Sequence, residues 1–196
     1  MNNSSNHAQI THLVQIALLM AIVLLLGFTP IGMIPLGFIY VSILCTPVVV
    51  GTLLLGLKPG LLLGFSFGAV SAINAIVRPS SLVAALMAAS PALTMVMCFL
   101  PRLLVPVVAW LAYRLVSRGE RAKKRAVPFA AVAGSLTNTI FYLGLMLAFY
   151  ALMGIDSQSV LALIGGTGLI AGGLEAVVAA VICTPVLAAL WRERKQ

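Results

Sequence analysis

Long apolar stretches separated by short polar segments run through the whole sequence. The six stretches lie at about residues 9–27, 42–56, 60–76, 92–114, 128–152 and 168–190. A helix of about 20 apolar residues crosses the ~30 Å hydrocarbon core of a bilayer. The first stretch has neither a basic start nor a small-residue cleavage site, so we expect a permanent helix there. The pattern predicts an all-α integral membrane protein in which residues 1–196 form one domain of six transmembrane helices.

The composition excludes a soluble domain. Of the 196 residues, 62% are hydrophobic and 8% are charged, and the mean hydropathy is +1.15. Soluble domains carry a charge on roughly a quarter of their residues. Six membrane-spanning helices also leave too few residues for a second domain in water.

The basic residues predict the orientation of the helices. The chain carries 12 Lys and Arg against 4 Asp and Glu. Most cations lie in a predicted basic loop at residues 117–127, in the tail after Trp191, and at Lys58 in the tight turn between the second and third stretches. Cytoplasmic loops are enriched in Lys and Arg, so both termini are expected in the cytoplasm. We interpret these cations as a topology signal with some anionic lipid contact, and not as a nucleic-acid surface.

The segment between the first two helices, residues 28–41, combines prolines and glycines with large apolar side chains. Proline interrupts a regular helix, yet the segment is too apolar for open water. Non-helical backbone at this depth must be covered by protein or must line a cavity. The segment is expected to be an external loop, either an apolar connector on the helix ends or, as we prefer, a lid over a ligand site.

Polar side chains from separate helices are expected at one level of the membrane. Counted at 1.5 Å per residue from the nearest cytoplasmic cation, they lie roughly 18–25 Å along their helices. These residues are Thr46, Asn74, Arg102, Asn138 and Glu175. Such a layer predicts a polar pocket that opens to the exterior and is closed toward the cytoplasm.

Arg102 and Glu175 need an explanation, because a charge at membrane depth costs a few kcal/mol on insertion scales. One explanation is a buried ion pair between the fourth and sixth helices. The other is that Arg102 binds a substrate carboxylate or phosphate through its planar guanidinium, while Asn138 and Glu175 form hydrogen bonds with other groups of the ligand. The two explanations are compatible, and the sequence leaves both open.

No catalytic, metal or cofactor site is predicted. Cys45, Cys98 and Cys183 are scattered through apolar stretches without the paired spacing of a metal site. The two histidines precede or begin the first helix, and acidic residues are too few for a metal cluster. The glycine-rich run at 165–168 lacks the Gly-Lys-Ser/Thr ending of a phosphate loop.

Small residues form two stripes. On the third helix they recur at every fourth position, and on the first helix they are Ala17 and Ala21. The residues of the third-helix stripe are Gly60, Gly64, Gly68 and Ala72. Such stripes allow helices to approach closely in lipid. We expect the glycine stripe to pack within the bundle and the alanine pair to contact another protein.

Three fragments in register resemble the substrate-binding S components of energy-coupling factor (ECF) vitamin transporters. They are PRLLV at 101–105, GSLTNT at 134–139 and the Glu175-Ala176 pair. The apolar loop between the first two helices is similar to the first external loop of that family, which forms part of the substrate pocket. Ala17-x-x-x-Ala21 resembles the first-helix motif that meets the coupling subunit.

The resemblance implies a vitamin-binding subunit without enzymatic activity, in the plasma membrane of a prokaryotic cell. Its implied partners are a transmembrane coupling subunit and two cytoplasmic ATPases. The sequence departs from the family pattern at one position, because many relatives have Asn four residues before the glutamate, where Ala171 stands here.

Within the family, the pattern around residues 30–49 is nearest to the pantothenate and riboflavin members. Pantothenate is the preferred substrate, because Arg102 or Arg78 could neutralise its carboxylate, and Tyr40 is a candidate to flank the ligand. Riboflavin or another vitamin is the alternative substrate. The alternatives of a different class are a membrane enzyme and a self-sufficient carrier.

Overall fold

Helices form almost all of the chain. The computed structural model describes residues 3–29, 32–36, 39–117, 120–155 and 157–193. The elements in chain order are α1 (Asn3–Phe28), β1 (Met33–Leu36), β2 (Ile39–Ser42), α2 (Cys45–Leu55), α3 (Leu57–Val77), α4 (Ser81–Ala89), α5 (Pro91–Val116), α6 (Glu120–Leu152), α7 (Gln158–Leu163) and α8 (Leu169–Glu193). A short π-helical turn, Ile164–Gly168, joins α7 to α8.

Five of the described helices are long and apolar enough to cross a membrane, namely α1, α3, α5, α6 and α8. The sixth apolar helix, α2, has 11 residues and is therefore only about 17 Å long. The predicted second span at 42–56 is thus shorter than expected, because its first residues belong to β2 and to the turn that follows. The short helix α4 was not predicted.

The segment between α1 and α2 forms an antiparallel hairpin instead of an irregular loop. Pro35 pairs with Tyr40, and Met33 pairs with Ser42. The amide of Ile43 donates to the carbonyl of Gly32 (3.1 Å) at the base of the hairpin. Pairing satisfies backbone groups that an apolar environment would otherwise leave unbonded. Gly32 lies so close to the backbone of Leu26 that a Cβ would clash there.

Helix α2 lies in the centre of the bundle. It packs against α1, α3, α5, α6 and α8, and nine of its residues are buried. Protein therefore surrounds this short helix, which explains why it does not need the length of a lipid-exposed span. Val48 and Val49 of α2, with Leu63 of α3 and Val105 of α5, belong to the larger of two core clusters.

The glycine stripe of α3 packs inside the bundle, as the sequence pattern predicted. Gly60 faces Thr52 of α2. Gly64 faces the main-chain carbonyl of Arg102 in α5, and Gly68 faces the ring of Phe99. A side chain at any of these glycines would push α3 away from its neighbours.

The two ends of the bundle differ in chemistry. At one end, the rings of Tyr113 and Trp191 lie 6.1 Å apart, and Leu55 packs against the same core cluster as both. Arg114 stacks on Trp110 there, at 4.3 Å from the ring centroid. We call this the basic end. The opposite end carries the β1–β2 hairpin and α4, and we call it the hairpin end.

The predicted basic loop at 117–127 is mostly helical. Helix α6 begins at Glu120, because the Glu, Arg, Lys and Ala residues of this segment are good helix formers. The side chains of residues 118–124 lie outside the described part of the structure. Arg125 is exposed.

Candidate ligand-binding site

A cavity of about 260 Å³ lies among α1, α3, α5, α6 and α8, toward the hairpin end. Its lining combines polar and apolar side chains. The polar side chains of the lining are Thr29, Ser71, Asn74, Arg78, Ser80, Arg102, Asn138, Thr139, Tyr142 and Glu175. The volume is slightly below the roughly 300 Å³ at which ligand pockets usually begin. The cavity therefore suits a small ligand.

Most of the predicted substrate residues meet at this cavity. They are Asn74, Arg78, Arg102, Asn138 and Glu175. Thr46 does not line it. Thr46 is buried in the first turn of α2, where its carbonyl oxygen lies 3.8 Å from the sulfur of Cys183. The backbone of Tyr40 pairs with Pro35, but its side chain lies outside the described part of the structure.

Two prolines shape the helix around Arg102. Pro101 has no N–H group, so it cannot donate to the carbonyl of Met97 four residues earlier. The Nη1 atom of Arg102 donates to this carbonyl instead, at 3.0 Å. Pro106 likewise cannot donate to the carbonyl of Arg102, which faces Gly64. The sequence of α5 therefore provides an acceptor that holds the guanidinium in place.

Aromatic rings hold the same guanidinium. Its central carbon lies 4.6 Å from the ring centroid of Tyr142 and 5.3 Å from that of Phe67. Cation–π contacts of this kind are worth about 0.5–2 kcal/mol. Arg102 is only 7% exposed, so α3, α5 and α6 together fix a buried positive charge at the cavity.

Arg102 and Glu175 form no ion pair in the described part of the chain. Both are 7% exposed, and Oε1 of Glu175 has no hydrogen-bond partner among the described residues. The explanation of these charges as a simple ion pair is therefore wrong. Opposite charges remain on two walls of one small cavity.

Three of the cavity residues have a buried polar atom without a hydrogen-bond partner among the described residues. These atoms are Nε of Arg102, Oδ1 of Asn138 and Oε1 of Glu175. An unsatisfied buried polar group costs about 1–3 kcal/mol. Such groups are satisfied in proteins by water or by a ligand. The set offers one donor and two acceptors to a bound molecule.

Asn74 and Arg78 have different surroundings from the buried residues. The Nδ2 atom of Asn74 donates to the carbonyl of Gly27 (3.0 Å), which links α3 to the end of α1. Gly27 itself is pressed against Val70 of α3. Arg78 follows the last turn of α3 and is exposed. It therefore lies at the mouth of the cavity.

A glycine lets α8 approach α6 beside the ligand residues. A Cβ on Gly172 would come within 2.8 Å of Cγ2 of Thr139. Gly172 and Ala171 both line the cavity, one turn before Glu175. Ala171 contributes only a methyl group to this part of the wall. The close approach brings Glu175 to Asn138.

Helix α4 closes one side of the cavity. Ser80 caps it by accepting from the amide of Val83 at 3.4 Å, and both residues line the cavity. The hydroxyl of Tyr150 donates to the carbonyl of Leu82 at 2.6 Å. This bond anchors α4 to α6.

The sequence reasoning did not assign several lining residues to the site. Phe67 and Ser71 lie seven and three residues before Asn74 on α3. Residues three, four or seven apart share a helix face, so this spacing could have found them. Within the described chain, no group of three or more His, Cys, Asp or Glu could hold a metal ion.

The outer face of α1 has no intramolecular cover among the described residues. Ala17 and Ala21 are exposed, as are Val14, Leu18 and Leu25 beside them. The opposite stripe of α1 packs on the bundle. The alanine pair is therefore free to contact lipid or another protein.

The family model described as ECF transporter, substrate-specific component, matches residues 11–187. The matched region contains the whole cavity lining, from Gly27 to Glu175. A search of curated proteins finds no match.

Proposed function

The chain belongs to the ECF transporter substrate-specific component family, and on that premise we propose that its substrate is pantothenate. Members of this family are membrane proteins that bind a small substrate and act without enzymatic activity, together with a transmembrane subunit and ATPase subunits. One observation carries the proposal. Arg102, Asn138 and Glu175 each line the cavity with a buried polar atom that lacks a hydrogen-bond partner in the described chain.

The chemistry of pantothenate complements these three atoms. Its carboxylate accepts from Nε of Arg102, and a charge-assisted bond of this kind is roughly twice as strong as a neutral one. Its hydroxyl groups and amide N–H donate to Oδ1 of Asn138 and Oε1 of Glu175. The ligand would satisfy all three buried groups at once.

The aromatic residues favour a small ligand over riboflavin. Phe67 and Tyr142 both contact the guanidinium of Arg102, so these faces are occupied by the arginine. A cavity of about 260 Å³ also gives little room for a fused three-ring system. Riboflavin and other vitamins remain the alternatives that the binding experiment below compares.

The distribution of charge supports an outward-facing pocket. Arg114 and Arg192 lie in the last turns of α5 and α8 at the basic end, and the cavity lies toward the other end. Because Lys and Arg are enriched on the cytoplasmic side, both termini are cytoplasmic in this proposal. The protein is then a single multi-pass domain in a prokaryotic plasma membrane.

The β1–β2 hairpin is proposed as the lid of the pocket. Phe28 and Thr29, which precede it, line the cavity, and Gly32 holds its base against α1. Tyr40 lies on β2 and stays a candidate ligand contact in this proposal. Opening of the hairpin would admit the vitamin from outside.

The proposed partners follow from the exposed face of α1. Ala17 and Ala21 are small, exposed and one turn apart, so another helix can approach their backbone closely. In this proposal the face meets the transmembrane coupling subunit, and two cytoplasmic ATPases supply the energy. A self-sufficient carrier would not need such a face.

The decisive experiment is a comparison of ligands on the purified protein in detergent. Pantothenate at a hundred times its dissociation constant should raise the unfolding free energy by about 2.7 kcal/mol, measured by thermal unfolding. Pantothenol, which has an alcohol in place of the carboxylate, should stabilise far less because it offers Arg102 no anion. Stabilisation by a different vitamin would identify that vitamin as the substrate in place of pantothenate. If no B vitamin stabilised the protein, the proposal of a vitamin site would be refuted.

A further inference from the structure

A second concave surface lies at the basic end, between α1 and the turn that joins α2 to α3. It is an open groove of about 570 Å³, and it shares no residue with the ligand cavity. His12 and Ile16 of α1 form one wall, and Leu55, Lys58 and Leu62 lie on the other. We propose that this groove binds an anionic phospholipid, with the phosphate at Lys58 and an acyl chain on the apolar wall.

The groove combines one positively charged side chain with an apolar wall. Lys58 is exposed, whereas Ile16, Leu55 and Leu62 offer only hydrocarbon. A soluble anion would use the cation and leave the apolar wall unsatisfied. A phospholipid matches both parts, and it is present wherever a membrane-spanning chain resides.

The local electrostatics favour an anion. Lys58 lies in the first turn of α3, and its charge provides the positive potential of the groove, because the dipoles of α2 and α3 oppose each other where both helices meet at Gly56. No acidic residue lies in this turn, and Gly56 at the N-cap position offers no side-chain cap. Arg114 and Arg192 add further positive charge at the same end. Basic pockets on the cytoplasmic side of transmembrane helices bind anionic headgroups in this way.

The shape of the turn leaves room for the headgroup. Gly56 has φ +102°, and nothing lies within 4 Å of the position that its Cβ would take. Leu62 of the groove wall is 46% exposed, and Leu13, next to His12 in the sequence, is 64% exposed. These side chains offer an exposed apolar surface to an acyl chain.

The test measures retained lipid. The protein is reconstituted in an equimolar mixture of phosphatidylglycerol and phosphatidylcholine, re-extracted in mild detergent, and analysed by native mass spectrometry. The wild type should retain phosphatidylglycerol about fivefold over phosphatidylcholine, the ratio expected for one membrane-surface cation. Lys58→Gln should lose this preference, and Lys58→Arg should keep it.

Arg125→Gln is the matched control, because Arg125 is an exposed cation near the start of α6 and outside the groove. It should retain the preference of the wild type. An equal loss in Arg125→Gln and Lys58→Gln would show unspecific attraction to surface charge and would overturn the proposal. An unchanged preference for phosphatidylglycerol in Lys58→Gln would also overturn the proposal. This holds even if Lys58→Gln no longer binds the coupling subunit, because the groove would then be a protein interface. Circular dichroism on each variant confirms folding without reference to vitamin binding.

Discussion

The guanidinium of Arg102 donates to the main-chain carbonyl of Met97, five residues earlier on the same helix, at 3.0 Å. This bond exists because Pro101 cannot supply the usual helical donor to that carbonyl. A proline inside a helix generally lowers the stability of that helix, because one backbone hydrogen bond is lost. Here the loss leaves the carbonyl of Met97 available as an acceptor beside the cavity. The position of the Arg102 guanidinium therefore depends on Pro101, whereas ligand binding depends on the guanidinium itself.

Replacing Pro101 with Ala should weaken ligand binding while it strengthens the helix. The new N–H group competes with Arg102 for the carbonyl of Met97, so the guanidinium loses an anchor worth about 1 kcal/mol and affinity falls about fivefold. Pro185→Ala in α8 is the control, since Pro185 is also inside a helix but does not line the cavity. Calorimetric titration with pantothenate measures the affinity. Equal affinities for Pro101→Ala and the wild type would contradict the anchoring role.

Replacing Arg102 with Met should reduce affinity strongly and change stability little. Loss of a charge-assisted hydrogen bond of about 1.5–3 kcal/mol reduces affinity about 10- to 150-fold. The unliganded protein should have a stability close to that of the wild type, because removal of a buried charge with an unpartnered Nε offsets the loss of the hydrogen bond to the carbonyl of Met97. Arg78→Gln, at the exposed mouth, should change affinity far less. A strongly destabilised Arg102→Met with unchanged affinity would assign Arg102 to structure alone.

Counting along helices predicted the level of the polar side chains but not the directions in which they face. It selected Asn74, Arg102, Asn138 and Glu175, which all line the cavity, because a polar group in an apolar span is costly and is therefore easy to notice in the sequence. Thr46 has a similar depth, yet it is buried without lining the cavity. Depth depends on position along one helix, whereas the facing direction depends on how several helices pack.

The irregular features of the fold were only partly predictable. Prolines and glycines marked the break after α1, but the register of the hairpin, with Pro35 opposite Tyr40, depends on pairing between two segments. The short length of α2 was hidden, because Ile43 and Leu44 continue its apolar run although they lie in a turn. Sequence hydropathy cannot separate a residue buried by lipid from one buried by protein.

Replacing Gly172 with Ala should destabilise the protein by about 1–3 kcal/mol, the usual cost of overpacking. The new methyl group would meet Cγ2 of Thr139 at 2.8 Å and push α8 away from α6. The double variant Gly172→Ala with Thr139→Ser should recover much of this loss, because serine lacks that methyl group. Thermal unfolding measures each effect.

The neighbouring glycine is the control for this prediction. A Cβ on Gly173 would meet nothing within 4 Å, so Gly173→Ala should be neutral or stabilise the helix by up to about 1 kcal/mol. If the two substitutions have the same effect, the loss at Gly172 reflects backbone preference, and the packing of α8 on α6 is not the cause.

Replacing Ala17 and Ala21 together with Leu should separate binding from uptake. Both residues are exposed on α1 and lie outside the cavity, so pantothenate affinity should stay within about twofold of the wild type, the usual range for such surface changes. Uptake into cells should fall to background, because bulky side chains keep a facing helix from close approach. Ala189→Leu, an exposed alanine of α8, should leave both quantities unchanged. Radiolabelled uptake and co-purification of the coupling subunit test the prediction, and intact uptake by the double variant would assign this face to lipid.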